Sequence, residues 1–370
     1  MKRIVLPAAI SLAVLASCTK NEPAPSVTEQ QEITFASPVM SPATKAATEI
    51  ADNFPTTKDF AVFAHYYENG YTNFSGGKQY MNNVQVTYGA TPGTNGSWGS
   101  NPAYYWPKGG SLTFAAYAPY MSTGATYDAA GIHFSDYKIA DSAENQVDLL
   151  FSERAYDQTS ADQIDKNPYY YGVQINFQHA LSSIKFKVAM DSNLATSTLG
   201  YEFVVTEIKV LKAYSQGDFN QKLTDGKNKE TPVAASGDWT DYKSVVEEYV
   251  AYSDATGISL TDAEAKETVS ETNATNLILL PQPMKHGSAA DASDEIEVQV
   301  TYKMRHNQMK TGEYIYVVSK VSLNSSASVK EWLRGKRYVY TLTLGLDEIR
   351  FAPKVEPWVE QTVTDLPVIK

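Results

Sequence analysis

Apolar and polar positions alternate with period two in short runs along most of the chain, and turn residues separate the runs. This pattern predicts strands over residues 59–67, 111–118, 147–152, 173–190 (as a strand pair), 201–214, 276–280, 295–304, 313–323 and 336–344. Gly76-Gly77, Pro92-Gly93, Asn95-Gly96, Gly109-Gly110 and Asp225-Gly226 supply the turns. Ahead of them, Ile33, Phe35 and Val39 share one parity and predict a first strand, followed by a polar, small-residue stretch over 41–52. The clearest stretch with helical composition, 261–268, is short and carries too few apolar positions to be a core helix. Many strands with no long helical period between them predict an all-β chain packed as β-sandwiches.

A chain of 370 residues exceeds one ordinary domain, so two are expected. The predicted division is a leader over 1–17, a linker with a first strand over 18–58, an N-terminal β-sandwich over 59–171 and a C-terminal one over 172–370. The polar stretch 157–167 places the inner boundary near Tyr171. Tyr (25) outnumbers Phe (13), which suits half-buried strands. A net charge of −11 without a basic cluster gives no surface for phosphate backbones, so nucleic acid is not an expected partner.

Cys18 is the single cysteine, which excludes an internal disulfide, a multi-cysteine zinc site and a redox pair. Lys2 and Arg3 precede an apolar run over 4–16, too short to span a membrane but matching a secretory signal peptide. The run ends in Leu15-Ala16-Ser17-Cys18, which looks like a bacterial lipobox. We therefore expect acylation of Cys18, with the polar, Pro-containing stretch over 21–31 as a linker from the lipid anchor.

Catalytic patterns are missing: the sequence has no GxSxG, HExxH, GxGxxG or GxxxxGK[ST] motif. His65, His133, His179, His286 and His306 are scattered, without metal-ligand spacing, and no metal or other cofactor is expected. Asp148, Glu153, Asp157, Asp162 and Asp165 are dense enough to contain a glycosidase pair, which needs only two carboxylates placed by the fold, yet solvated loop carboxylates explain them as well. Tyr104-Tyr105-Trp106 and Tyr169-Tyr170-Tyr171 offer aromatic faces to a sugar, but neighbours on a strand point to opposite faces, which favours core packing. Trp98, in a turn-rich loop, is the better candidate for ligand contact. His179, on the same side of its strand as Phe177 and Leu181, reads as a hydrogen-bonded structural residue.

Several segments in order resemble the fimbrillin family, the type V pilus subunits of Bacteroidales. They are Tyr105-Trp106-Pro107 with 109–119, Asp148-Leu149-Leu150-Phe151, Phe177-Gln178-His179-Ala180-Leu181, Leu280-Pro281-Gln282-Pro283, Trp332 with Gly335-Lys336, Tyr338 and Tyr340, and finally Val355 and Trp358. The resemblance implies two transthyretin-like β-sandwich domains and export as an outer-membrane lipoprotein exposed on the cell surface. It further implies N-terminal trimming by a trypsin-like protease and polymerisation with other pilus subunits by strand exchange, with no enzymatic activity; a tip subunit would also meet a host or bacterial surface ligand. Lys45 is the only basic residue between Asn21 and Thr57, so trimming is expected between Lys45 and Ala46. Ile33, Phe35 and Val39 would form the strand that leaves. The tail after Trp358, with Val363, Leu366 and Val368, is the candidate donor, although Asp365 and Pro367 interrupt its alternation. A competing reading is a monomeric glycan-binding surface lipoprotein that uses Trp98.

Overall fold

The structure, a computed structural model, describes residues 31–36, 38–40, 52–89, 98–163, 172–223, 236–268, 276–286, 294–346 and 349–358. The strands of the first half are β1 (Val39–Met40), β2 (Asp52–Asn53), β3 (Asp59–Tyr67), β4 (Lys78–Tyr88), β5 (Trp98–Ser100), β6 (Ser111–Ala118), β7 (Ala125–Tyr127), β8 (Ile132–Lys138), β9 (Leu150–Ser152) and β10 (Ala155–Gln158). The second half adds β11 (Asn176–His179), β12 (Ser182–Met190), β13 (Glu202–Lys222), β14 (Ser236–Leu260), β15 (Lys266–Glu267), β16 (Leu277–Leu279), β17 (Glu297–Arg305), β18 (Ile315–Ser322), β19 (Lys336–Leu344) and β20 (Ile349–Pro357). The chain is all-β, as the alternation predicts. Three strands, β3, β6 and β19, have the predicted bounds.

These strands form three sheets. One runs β2-β1-β11-β9-β6-β3-β4-β5 with β10 also on β6, a second runs β18-β17-β13-β8-β7 with β14 on β13, and a third runs β15-β12-β19-β20 with β16 on β12. The first sheet separates two apolar cores because its central strands are apolar on both faces. In β6, Leu112, Phe114, Ala116 and Ala118 enter one core together with Phe60, Val62 and Ala64 of β3. Ala115 and Tyr117 enter the other with Ala61 and Phe63, where they meet side chains of the second and third sheets. Gly110, at φ 73°, ends the turn before β6, and a Cβ there would lie 2.5 Å from the Tyr67 carbonyl oxygen, so only glycine fits.

Strand pairing does not divide at residue 171. β11, which follows that position, pairs with β9 of the first sheet, while β8, which precedes it, pairs with β13 of the second. Apolar contact is continuous as well, for one core holds residues from Ala61 to Trp358. The β7–β8 pair is held in place by Arg154, which is buried and donates to the Tyr127 hydroxyl at 2.7 Å and to the backbone oxygens of Asp128 and Ala129 at 2.7 and 3.0 Å.

Residues 261–268 are not helical; they bend and then form β15, which pairs with β12 through Lys187 and Glu267. The pairing gives this polar stretch backbone partners that its composition does not announce. Among the described residues the one α-helical turn, Ser192–Ala195, is capped by the Asp191 carboxylate accepting from the Asn193 amide at 2.9 Å.

A half-buried histidine, His65, and a buried one, His286, are expected to make the body acid-sensitive. His65 sits against the rings of Phe74 and Tyr127, with centroids 4.6 and 5.5 Å away, and burial together with the Arg154 charge lowers its pKa below the ordinary 6.5. His286, 3.8 Å from the Tyr214 ring, is also lowered by burial, against an opposing pull from Asp294. A pKa lowered on folding means that the unfolded chain binds the proton more tightly. The stabilisation is thus present above pH 6.5 and is lost as pH falls through that value towards the folded pKa. Thermal unfolding should therefore shift to lower temperature between about pH 7.5 and about pH 5.5, and His65→Gln should reduce that shift. An unchanged shift in this variant would remove His65 as a cause.

Candidate functional site

The expected first strand occupies a slot in the first sheet. On one side the Ile33 amide donates to the Tyr104 carbonyl at 2.8 Å, the Phe35 amide to that of Trp98 at 2.9 Å, and the Trp106 amide to the Gln31 carbonyl at 2.9 Å. On the other, the Val173 amide donates to the Thr34 carbonyl at 2.9 Å and the Ala36 amide to that of Val173 at 3.1 Å. β1 continues the slot, with Val39 opposite Asn176 in parallel and opposite Asn53 in antiparallel register. Residues 31–36 are therefore sandwiched between 98–106 and Val173, and residues 39–40 between 52–53 and 176–177.

Below the backbone lies an aromatic floor. The Phe35 ring meets Phe60 and Phe114 edge-on, with both centroids 5.7 Å away, and Trp106 meets Phe114 at 5.9 Å. Edge-to-face packing of this kind adds to the area buried. Ile33 and Phe35 are each 1% exposed, as their parity predicts, but Thr34 and Ala36 are 2% exposed, so the segment is buried on both faces. That departs from the expected single apolar face, and it follows from pairing on both sides beneath covering residues. Gly172 makes the close approach possible: at φ +126° its Cα lies where a Cβ would stand 2.6 Å from the Phe35 carbonyl carbon and 2.7 Å from the Ala36 nitrogen.

Phe54 packs over the same floor, 5.5 Å from Trp98, 5.4 Å from Phe177 and 5.9 Å from Phe60, and its amide donates to the Pro38 carbonyl at 2.9 Å. The strand expectation missed Phe54, Trp106, Gly172 and Val173 as parts of the slot. The alternation of Val173, Ile175 and Phe177, all buried, was the available signal.

Trp98 is not a surface contact. It is 1% exposed, with its indole against Phe54, Phe60 and Tyr88, because β5 pairs with Tyr88 on one side and meets Phe35 on the other. No indole face is left for a ligand, which corrects the expectation of ligand contact. Trp106 is likewise buried, whereas Tyr105 is exposed. Tyr169-Tyr170-Tyr171 lie outside the described residues, as do Cys18, Lys45, Ala46, Val363, Leu366 and Val368.

The acidic candidates serve local structure. Asp148 Oδ2 lies 2.5 Å from His179 Nδ1, and the opposite role of that ring is packing: it stacks on Trp358 with centroids 4.0 Å apart and planes 6° apart. Asp157 accepts from the Tyr71 amide at 2.6 Å and the Ser111 hydroxyl at 2.8 Å. Asp162 accepts from the Thr159 amide at 2.8 Å, Glu153 is half-buried next to Arg154, and Asp165 lies outside the described residues. His133 lies 2.9 Å from Asp128 and 3.0 Å from Asn220. Among the described residues, no group of three His, Cys, Asp or Glu side chains could hold a metal ion. No helix of the described residues is long and apolar enough to cross a membrane.

The described chain is thus all-β, with residues 31–36 clamped between two backbone edges. Residues 44–358 match the family described as Fimbrillin-like, and the chain belongs to that family. Among solved structures, a fimbrial protein from Bacteroides vulgatus ATCC 8482 shares the fold, with a TM-score of 0.53 and 20% identity over 88% of this chain and 100% of that one. The tip fimbrial protein Mfa3 from Porphyromonas gingivalis is also similar, at 9% identity and a TM-score of 0.38, over 81% of this chain and 94% of that one. No curated protein matches the sequence.

Proposed function

We propose that the chain is a structural subunit or tip adhesin of a cell-surface pilus, exported as a lipoprotein acylated at Cys18 and assembled by strand exchange. The observation that carries this is the two-sided clamp on residues 31–36, joined to the body through a stretch that contains Lys45. A trypsin-like protease cutting after Lys45 would free Ile33, Phe35 and Val39 while leaving Phe54 on the floor. The slot would then offer unpaired amides at Trp106 and Val173, unpaired carbonyls at Trp98 and Tyr104, and exposed rings of Phe60 and Phe114. Such an edge takes up an extended strand, whose main chain gives affinity and whose side chains give specificity.

The tail of another subunit, with Val363, Leu366 and Val368, is the proposed occupant. From Val359 to Lys370 it reaches about 40 Å at roughly 3.3 Å per residue, longer than the slot segment Ile33 to Met40 at about 26 Å. Its imperfect alternation is compatible with this slot, because Thr34 and Ala36 are buried as fully as their apolar neighbours. Both segments proposed to exchange lie outside residues 44–358, which match the family.

Limited digestion tests the trigger. Material that assembles should begin at Ala46, and Lys45→Ala should stay unassembled with residues 18–45 in place. The wild-type precursor should partition with membranes and Cys18→Ala should not. Assembled subunits that begin elsewhere, or a Lys45→Ala chain that assembles normally, would contradict the trigger.

A further inference from the structure

The edge of the second sheet, β18, lies away from the slot and is open to pairing. It runs beside β17 without a break in register, from Ser322 opposite Glu297 to Ile315 opposite Met304, and among the described residues no strand pairs with its other side. Val298, Val300 and Tyr302 of β17 enter the core. Their neighbours Ile315, Val317, Ser319 and Val321 therefore share the inner face, and Tyr316, Val318 and Lys320 share the outer one. Tyr316 at 77% and Val318 at 61% are the two most exposed large apolar side chains among the described residues, and Ile315 is 49% exposed. A row of unpaired backbone groups flanked by apolar side chains is a template for another strand.

The other long edge strands among the described residues are blunted. β20 carries Pro353 and Pro357, which lack the amide that a pairing strand needs. β4, which β5 covers only over 86–88, shifts register twice on β3. β14 shifts three times on β13 and holds Asp241 and Ser244 at positive φ. Such bulges twist an edge away from a partner. β18 has no proline, no bulge and one charged residue, Lys320. Its sequence also complements itself. Antiparallel pairing with a second copy, about a two-fold axis through Val318, sets Val318 opposite itself, Tyr316 opposite Lys320, Ile315 opposite Val321 and Val317 opposite Ser319. The exposed tyrosine then lies between Lys303 of its own β17 and Lys320 of the second copy, the exposed Ile315 gains an apolar neighbour, and no like charges stand directly opposite.

We propose that β18 is a self-association edge, through which two copies of this chain join as a two-fold dimer with one sheet running across both. The inference does not rest on strand exchange at the slot, and it is tested on the intact chain carrying Cys18→Ser. Sedimentation equilibrium should show a reversible dimer with a dissociation constant of about 10 μM, the weak range of a small interface. Both copies bring Lys303 and Lys320 to the contact and a net charge of −11 overall, so the dimer should tighten about threefold as salt rises from about 0.05 to about 0.5 M. Val318→Lys, an exposed change, sets two ammonium groups opposite each other on the axis and should weaken the dimer at least about tenfold. Val318→Cys, then the only cysteine, should close a disulfide across the axis under mild oxidation, because facing residues of an antiparallel pair have Cα atoms about 4.5–5.5 Å apart. Thr301→Cys, opposite Val318 on β17, would stand three strand spacings, about 14 Å, from its copy and should not. A chain that stays monomeric up to about 100 μM would overturn the proposal, and binding of poly-glutamate by that monomer would assign the edge to an acidic partner strand instead. A dimer unchanged by Val318→Lys, or a disulfide formed as readily by Thr301→Cys as by Val318→Cys, would overturn it too.

Discussion

Phe35→Ala should destabilise docking of the first segment by about 3–5 kcal/mol, the range for removing a buried phenylalanine ring. The ring is 1% exposed and touches Phe60 and Phe114 edge-on, and the void it leaves cannot be filled by backbone that is hydrogen-bonded on both sides. The loss should appear as earlier denaturant unfolding of the intact chain and as faster proteolysis after Lys45, because cleavage follows the population of the undocked state. A chain that begins at Ala46 lacks the residue, so its own stability sets the floor to which the variant can fall. A cost below about 1 kcal/mol would show that the segment does not depend on this pocket.

The second large effect comes from a residue the proposed exchange would leave behind. Gly172→Ala adds one methyl group where the Phe35, Ala36 and Thr34 backbones pass at 2.6 to 2.7 Å, and it does so at φ +126°, which L side chains rarely adopt. Backbone strain alone costs about 1–3 kcal/mol, and the collision comes on top because its partner is main chain and cannot rotate away. The intact chain should lose its grip on residues 34–36, and the same variant should also take up a donor strand poorly. Wild-type cleavage and assembly rates in Gly172→Ala would mean that the slot is wider than its geometry states.

Much of this fold is legible because alternation and burial coincide. Leu112, Phe114 and Ala116 were predicted on one face of β6 and are found there. Their neighbours Ala115 and Tyr117 are buried too, in the other core, which a single strand cannot reveal, since it depends on what packs against the second face. β14 was missed: Trp239, Tyr249, Tyr252 and Leu260 are buried, but Asp, Ser and Gly between them blur the period on a strand paired with β13 alone. β20 was missed because Pro353 and Pro357 interrupt it, which its place at the edge of the third sheet allows. In the slot, Ile33 and Phe35 were legible from parity. Trp98 was misjudged, because the Asn95-Gly96-Ser97 turn before it signals a loop while the contacts that bury it come from Phe54 and Phe60, distant in sequence. Gly172 gives no sequence signal at all until the strand that passes it is in place.

Amide hydrogen exchange at Trp106 and Val173 tests strand exchange most directly, because both amides bond to the segment that is proposed to leave, at 2.9 Å each. Both should be protected in the intact chain, exchange freely in the trimmed, unassembled chain that begins at Ala46 and lacks residues 361–370, and be protected again in assembled subunits with the tail present. Protection that persists in the trimmed chain, or that fails to return on assembly, would contradict strand exchange at this slot.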